Sequence, residues 1–221
     1  MTAIINKISL KGIKETLLTF PLYILTHPFK GFDEMKFLKR GSMWYAIFIL
    51  FAAGLANILR VAYTGFIVSG FWQATPYVYV TWTLFFTYSP IILFCLANWS
   101  VTTITNGKGS LKEIFLTYAY SMYPMVFCTL VGIILSNFVT GSEMAFAVFF
   151  FIVGPVLQYA YLFVGLIMIH EYTFLKAILM VILTLLAMLI ITFVAALFFS
   201  LFNNVMMFFW TLVEELSMHW F

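Results

Sequence analysis

Five long apolar runs divide this chain, and the stretches between them alternate between charged and nearly uncharged, so ten of the eleven basic residues fall on one side of a membrane. The runs are 43–62, 78–103, 116–138, 144–169 and 174–202. Each reaches the ~20 residues that an α-helix needs to cross a hydrocarbon core of ~30 Å. With 64% hydrophobic and 9% charged residues, the chain has too little polar surface to cover a soluble globule. The pattern predicts an all-α, polytopic membrane protein with five transmembrane helices. It divides the chain into an amphipathic N-terminal segment (1–42), a five-helix domain (43–202) and a C-terminal segment (203–221). No short apolar segment with a small-residue cleavage site precedes the first run, so no removable signal peptide is expected.

Basic residues flanking spans stay preferentially on the cytoplasmic side. Lys7, Lys11, Lys14, Lys30, Lys36, Lys39 and Arg40 precede the first span, Lys108 and Lys112 lie between the second and third, and Lys176 lies between the fourth and fifth. The opposite side holds only Arg60, with Glu143, Glu214 and Glu215. The expected orientation is N-terminus cytoplasmic and C-terminus outside, in the inner or plasma membrane. Aromatic residues agree: Trp44, Tyr45 and Trp99 fall at the inner interface, and Trp72, Tyr77, Trp82, Trp210 and Trp220 at the outer one.

The uninterrupted apolar stretch from Ala177 to Val213 is longer than one crossing needs. A break is expected at Asn203 and Asn204, its only adjacent polar pair, which makes 203–221 an outer interfacial segment; a kinked continuation of the fifth helix is the alternative. At the other end, Leu10, Ile13, Leu17, Phe20 and Ile24 recur every three or four residues opposite Lys11, Lys14 and Glu15. That periodicity predicts an amphipathic helix in the membrane surface. Pro21 and Pro28 break it, and a second short helix over 33–40 is expected to end in a left-handed cap at Gly41. The basic residues here are topology anchors or, in the sharper reading, a docking surface for anionic lipid or protein.

His27-Pro28-Phe29-Lys30-Gly31-Phe32, then Lys36, then Lys39-Arg40-Gly41-Ser42 leading into a span resembles the bacterial branch of the YIP family, the Ypt/Rab-interacting membrane proteins. Asn98-Trp99, Asn106-Gly107-Lys108-Gly109-Ser110-Leu111-Lys112-Glu113-Ile114-Phe115, Tyr118 to Pro124, and His170-Glu171-Tyr172 with Lys176 are similar to that branch in order and spacing, over residues 15 to 200. The resemblance implies a five-span fold with a cytoplasmic N-terminus. Eukaryotic members are linked to Rab GTPases, vesicle traffic and membrane shaping; the bacterial branch has no settled activity. Its genes are often found beside carbohydrate ABC-transporter genes, which implies transporter subunits as partners. This chain lacks the Asp-Leu-Tyr-Gly-Pro motif of eukaryotic members, so GTPase binding is not carried across.

Asn106-Gly107 is a turn pair, and Ser110 followed by Glu113 is a capping box, so a helix is expected to start after Ser110 and run into the third span. Lys108 and Lys112 flank that helix N-terminus, where backbone N–H groups favour an anion. A nucleotide-binding P-loop fits poorly, because Gly-Lys is followed by Gly rather than Ser or Thr. Three spans contain proline: Pro90, Pro124 and Pro155 free the carbonyls of Phe86, Tyr120 and Phe151 and predict kinked helices. The kinks are either structural or, as in transporters, expose backbone to a solute beside Asn98, Gln158, Tyr118, Tyr120, Tyr123, Tyr159 and Tyr161. No acidic residue lies in mid-span to couple transport to an ion.

Asn57 and Arg60 share a helical face near the outer end of the first span. Arg60 is expected to snorkel to headgroups, with Glu143 as counter-charge if it is buried instead. His170 and Glu171 are expected to satisfy the end of the fourth helix or a basic residue such as Lys39 or Arg40. A metal site would need three or four converging ligands, and the three histidines do not share one side. Cys95 and Cys128 read as buried small hydrophobes.

Catalytic constellations are absent. Asp33 is the only aspartate, no His-Glu-x-x-His occurs, and no histidine lies in mid-span to activate a serine. No nucleic-acid motif is present. The sequence therefore predicts a non-enzymatic, cofactor-free membrane-organising or accessory scaffold. Its cytoplasmic face (His27, Lys36, Lys39, Arg40, Lys108, Lys112, His170, Glu171 and Lys176) is expected to bind membrane lipids, anionic ones included, or a partner membrane protein, with self-association also open. The alternative is a transport component, within an ABC-transporter-associated complex, built on helices two to four and an intramembrane polar cluster of Asn57, Arg60, Asn98, Gln158 and Tyr120.

Overall fold

The computed structural model describes residues 19–71, 79–105 and 107–218, which form helices with no strand among them. In chain order these are α1 (Phe20–Thr26), α2 (Pro28–Phe37), α3 (Met43–Tyr63), α4 (Phe66–Phe71), α5 (Val80–Ile104), α6 (Leu111–Ser121), α7 (Tyr123–Ser136), α8 (Met144–His170) and α9 (Phe174–Met218). Five segments are long and apolar enough to cross a membrane: α3, α5, the α6–α7 pair, α8 and α9. The α6–α7 pair is the axis. In its most apolar stretch 61% of residues are buried inside the protein, against 17% to 33% in the other four. Helices α3, α5 and α8 surround it, while α9 packs mainly along α5.

The third span breaks where proline predicts a kink. Met122 ends α6 and Pro124 opens α7, a position where its missing N–H costs nothing. Pro90 and Pro155 instead lie inside α5 and α8. Beside Pro155, Gly154 admits the facing helix closely, since a Cβ there would lie 2.9 Å from Cys128 Cβ. Cys95 and Cys128 are both buried and unbridged.

The expected break at Asn203 and Asn204 is not there. Helix α9 runs unbroken for 45 residues, a length of ~68 Å against a hydrocarbon core of ~30 Å. Nothing in it breaks the hydrogen-bond ladder: it has neither Gly nor Pro, and both asparagines point outward. From Thr192 to Glu215 every residue is exposed. The continuation beyond Phe202 is therefore helical as far as Met218, and residues 219–221 lie outside the described residues.

The N-terminal segment also differs from expectation. Leu10, Ile13 and Leu17 lie outside the described residues, but Phe20 and Ile24 are buried at 3% and 1% exposure in the main core. Their stripe meets protein rather than lipid. Helix α2 packs against α8, with Phe32 fully buried where Gly165 leaves room; a Cβ on Gly165 would lie 2.3 Å from Thr117 Cγ2 and 3.2 Å from the Phe32 ring. The Tyr161 hydroxyl on α8 donates to the Leu25 carbonyl at 2.6 Å. Helix α2 ends through a left-handed residue at Lys39 (φ 52°), not at Gly41. Gly41 is needed for closeness, since a Cβ there would lie 2.7 Å from Met35 Cγ.

At the far end α4 folds against α7 and α8. The Gly65 N–H donates to Ser136 Oγ at 2.9 Å, and a Cβ on Gly65 would lie 2.0 Å from the Ser136 carbonyl oxygen. Trp44 and Trp99 at one end, and Trp82 and Trp210 towards the other, are exposed as interfacial tryptophans should be. Tyr45 is not one of them: it is buried against Tyr120, ring centroids 4.6 Å apart. Trp72, Tyr77 and Trp220 lie outside the described residues or have no described side chain.

Candidate functional site

The basic end of the bundle is organised by one acidic residue. Glu171 caps α8 in the left-handed conformation (φ 55°), which turns the chain towards α9 and leaves its carboxylate between two lysines. Lys36 Nζ of α2 donates to Oε1 at 2.6 Å, and Lys108 Nζ of the α5–α6 loop donates to Oε2. The bonds from Lys108 and Lys36 hold the carboxyl near 2, well below the usual carboxylate range. Glu171 thus meets the helix end and an N-terminal basic residue, as expected, but that residue is Lys36 and not Lys39 or Arg40. Arg40 pairs with Glu34, while Lys39 is carried away by the left-handed end of α2.

Beside this node the α5–α6 loop locks onto the end of α8. The Gly109 N–H donates to His170 Nδ1 at 3.1 Å, so the network assigns the ring proton to Nε2, which donates to Asn98 Oδ1 at 3.2 Å. The Asn98 amide in turn donates to Thr184 Oγ1 of α9 at 3.1 Å. All three side chains are at least 98% buried. Two glycines make the approach possible. A Cβ on Gly109 would lie 2.5 Å from the His170 ring, and one on Gly107 2.6 Å from the Tyr172 hydroxyl. The capping box is present as expected: Glu113 accepts from the Ser110 N–H at 2.8 Å, and Ser110 Oγ accepts from the Glu113 N–H.

Of the residues expected to form one binding face, Lys36, Arg40, Lys108, His170 and Glu171 are thus tied to protein partners. His27 stacks on Tyr23, and the Lys176 ammonium lies 4.6 Å from the centre of the Tyr172 ring. Lys39 and Lys112 are exposed and make no ion pair among the described residues. The stem of Lys112 lines a groove of about 370 Å³ whose other walls are Met43, Ile92, Cys95, Leu96, Leu111 and Phe115.

The residues expected to form one intramembrane polar cluster fall into three places. Asn98 belongs to the His170 network. Tyr120 accepts from the Ser42 N–H at 3.0 Å and packs on Phe20 and Tyr45, sealing the N-terminal segment to α6. Asn57, Arg60 and Gln158 do converge, in a cleft of about 320 Å³ away from the basic end that reaches Pro90 and the α6–α7 break at Met122. Asn57 donates to Thr87 Oγ1 at 3.2 Å. Arg60 is not paired with Glu143, whose carboxylate accepts instead from the backbone and hydroxyl of Thr140. Arg60 is exposed, and its guanidinium lies over the Phe151 ring, 5.5 Å from its centre.

The docking of the loop on His170 could not be read from either segment alone. The available signal was two glycines flanking a lysine on the same side as a His-Glu-Tyr triplet. Compared with known proteins, residues 22–196 match the family model described as the Yip1 domain. No curated protein and no solved structure matches the chain.

Proposed function

The chain belongs to the Yip1 domain family, and from that premise we propose that it is a non-enzymatic scaffold of the cell's inner or plasma membrane, basic end cytoplasmic, which holds anionic lipid there. Lys112 carries the proposal. It is an exposed cation without a carboxylate partner among the described residues, and its aliphatic stem forms part of the wall of a wholly apolar groove. That combination fits an amphiphile: the headgroup meets the ammonium and the chain fills the groove. Lys39, Lys30 and Lys176 are also exposed and add to the positive field at this end. Lys36 and Lys108 contribute less, because Glu171 neutralises part of their charge.

A cation near an anionic leaflet contributes ~1 kcal/mol, or about fivefold in affinity. Lys112→Gln should therefore weaken retention of phosphatidylglycerol by the purified protein about fivefold, with phosphatidylcholine unaffected, and added salt should weaken wild-type retention similarly. Mass spectrometry of lipids retained from mixed micelles reads this, and equal retention by wild type and variant would overturn the proposal. A second reading, an accessory subunit of a larger membrane complex such as a transporter, rests on the exposed apolar length of α9 beyond Thr192. Affinity purification in mild detergent should then recover a stoichiometric membrane partner that is lost when residues 203–221 are deleted.

A further inference from the structure

We propose that the cleft between α3, α5, α6 and α8 binds the phosphate of an anionic phospholipid from the leaflet opposite the basic end. Three observations converge. Arg60 is the only basic residue on that side of the chain, and it has no carboxylate partner among the described residues. The residue is exposed, and its guanidinium lies over the ring of Phe151, a buried residue of α8, 5.5 Å from the ring centre. The neutral hydrogen-bonding groups around it are graded in depth: Thr83 lies one turn into α5, the Asn57–Thr87 pair sits below, and Gln158 at the floor is 96% buried beside Tyr118.

The lining selects the ligand. A planar guanidinium matches two phosphate oxygens at once, and hydroxyl and amide groups nearby can serve the remaining oxygens or headgroup hydroxyls. A volume of about 320 Å³ holds a headgroup rather than a whole lipid. The flanking residues Phe86 and Tyr159 are 67% and 62% exposed on the outside of the bundle, where acyl chains would lie against them. The ligand therefore enters sideways from lipid. A soluble anion would have no use for those walls.

Native mass spectrometry of the full-length protein, titrated with phosphatidylglycerol or phosphatidylcholine, counts tightly held lipids. It is best done in a Lys112→Gln background, which weakens retention at the basic end about fivefold, so that failure there is distinguishable from failure here. In that background we expect one phosphatidylglycerol held at least tenfold more tightly than phosphatidylcholine. Arg60→Gln should abolish the preference, and Arg60→Lys, which keeps the charge but not the fork, should retain part of it. Asn57→Leu, a nearly isosteric change that leaves the charge in place, should weaken binding severalfold, which covers the case in which Arg60→Gln fails to fold. Equal affinity for the two lipids, or phosphatidylglycerol binding unchanged in folded Arg60→Gln or Asn57→Leu, would overturn the site. Displacement of the lipid by millimolar inorganic phosphate would overturn its assignment to a lipid.

Discussion

Glu171 concentrates at one position what the rest of the basic end depends on. Its left-handed backbone costs about 1 kcal/mol for a residue with a Cβ, and it persists because the carboxylate meets two ammonium groups there. The sign of the pH dependence follows. The carboxyl pKa is depressed in the folded protein, so the contribution is complete above the unfolded value of ~4.3 and is lost as pH falls towards about 2. Protection of the amides of residues 28–37 and 107–112 against hydrogen exchange, taken relative to the intrinsic rate at each pH, should therefore fall between pH 4.5 and 2.5 in the wild type. In Glu171→Gln the protection should already be low at neutral pH and change less across that window. Gly109→Ala should free the same loop by pushing it off His170, leaving buried nitrogens unpaired at a cost of ~1–3 kcal/mol. The capping box at Ser110 was legible because its members lie three residues apart. The partners of Glu171 were not, since which lysine reaches it depends on how α2 is rotated when Phe32 seats against Gly165.

Among the elements, α2 and α9 illustrate opposite limits of periodicity. Phe20 and Ile24 of α1, the described part of the expected stripe, are buried in the core beside α2, since periodicity says only that one face is apolar and not whether protein or lipid covers it. The missing information was what receives them far along the chain: Tyr120 against Phe20, and, for Phe32 of α2, the small-residue socket at Gly165. Phe32→Ala should accordingly cost ~3–5 kcal/mol, as for a buried ring, and release α2 first. This reads out as a lowered unfolding temperature with earlier proteolysis between residues 28 and 40. In α9 the asparagine pair suggested a break, but two outward-facing polar side chains do not interrupt a ladder that lacks Gly and Pro. Asn203→Pro should break the helix there and reduce helicity by circular dichroism. The bundle's unfolding temperature should stay unchanged, because residues beyond Thr192 are exposed throughout.

For the whole molecule, the five spans were legible because length and hydropathy are properties of single segments. How polar residues are shared between spans was not legible. Asn98 and Asn57 look equivalent in sequence, and they stand in different networks because they lie on different helices facing different neighbours. The expected orientation has a direct check: a reporter fused after Phe221 should be active only on the outside, and one fused before Met1 only in the cytoplasm. The joining of α2 to α8 has a consequence for biogenesis. Lys36 and Glu171 are 135 positions apart, so a ribosome delivering the chain from its N-terminus exposes α1 and α2 long before Gly165 and Glu171 exist to receive them. During that interval their apolar stripe needs a temporary shelter, and the membrane surface is the one at hand. Nascent chains arrested with residue 160 newly emerged should leave residues 20–37 membrane-bound and open to protease, and chains arrested well past 171 should protect them. The amphipathic pattern in the sequence then describes where these helices wait, and the folded bundle is where they end.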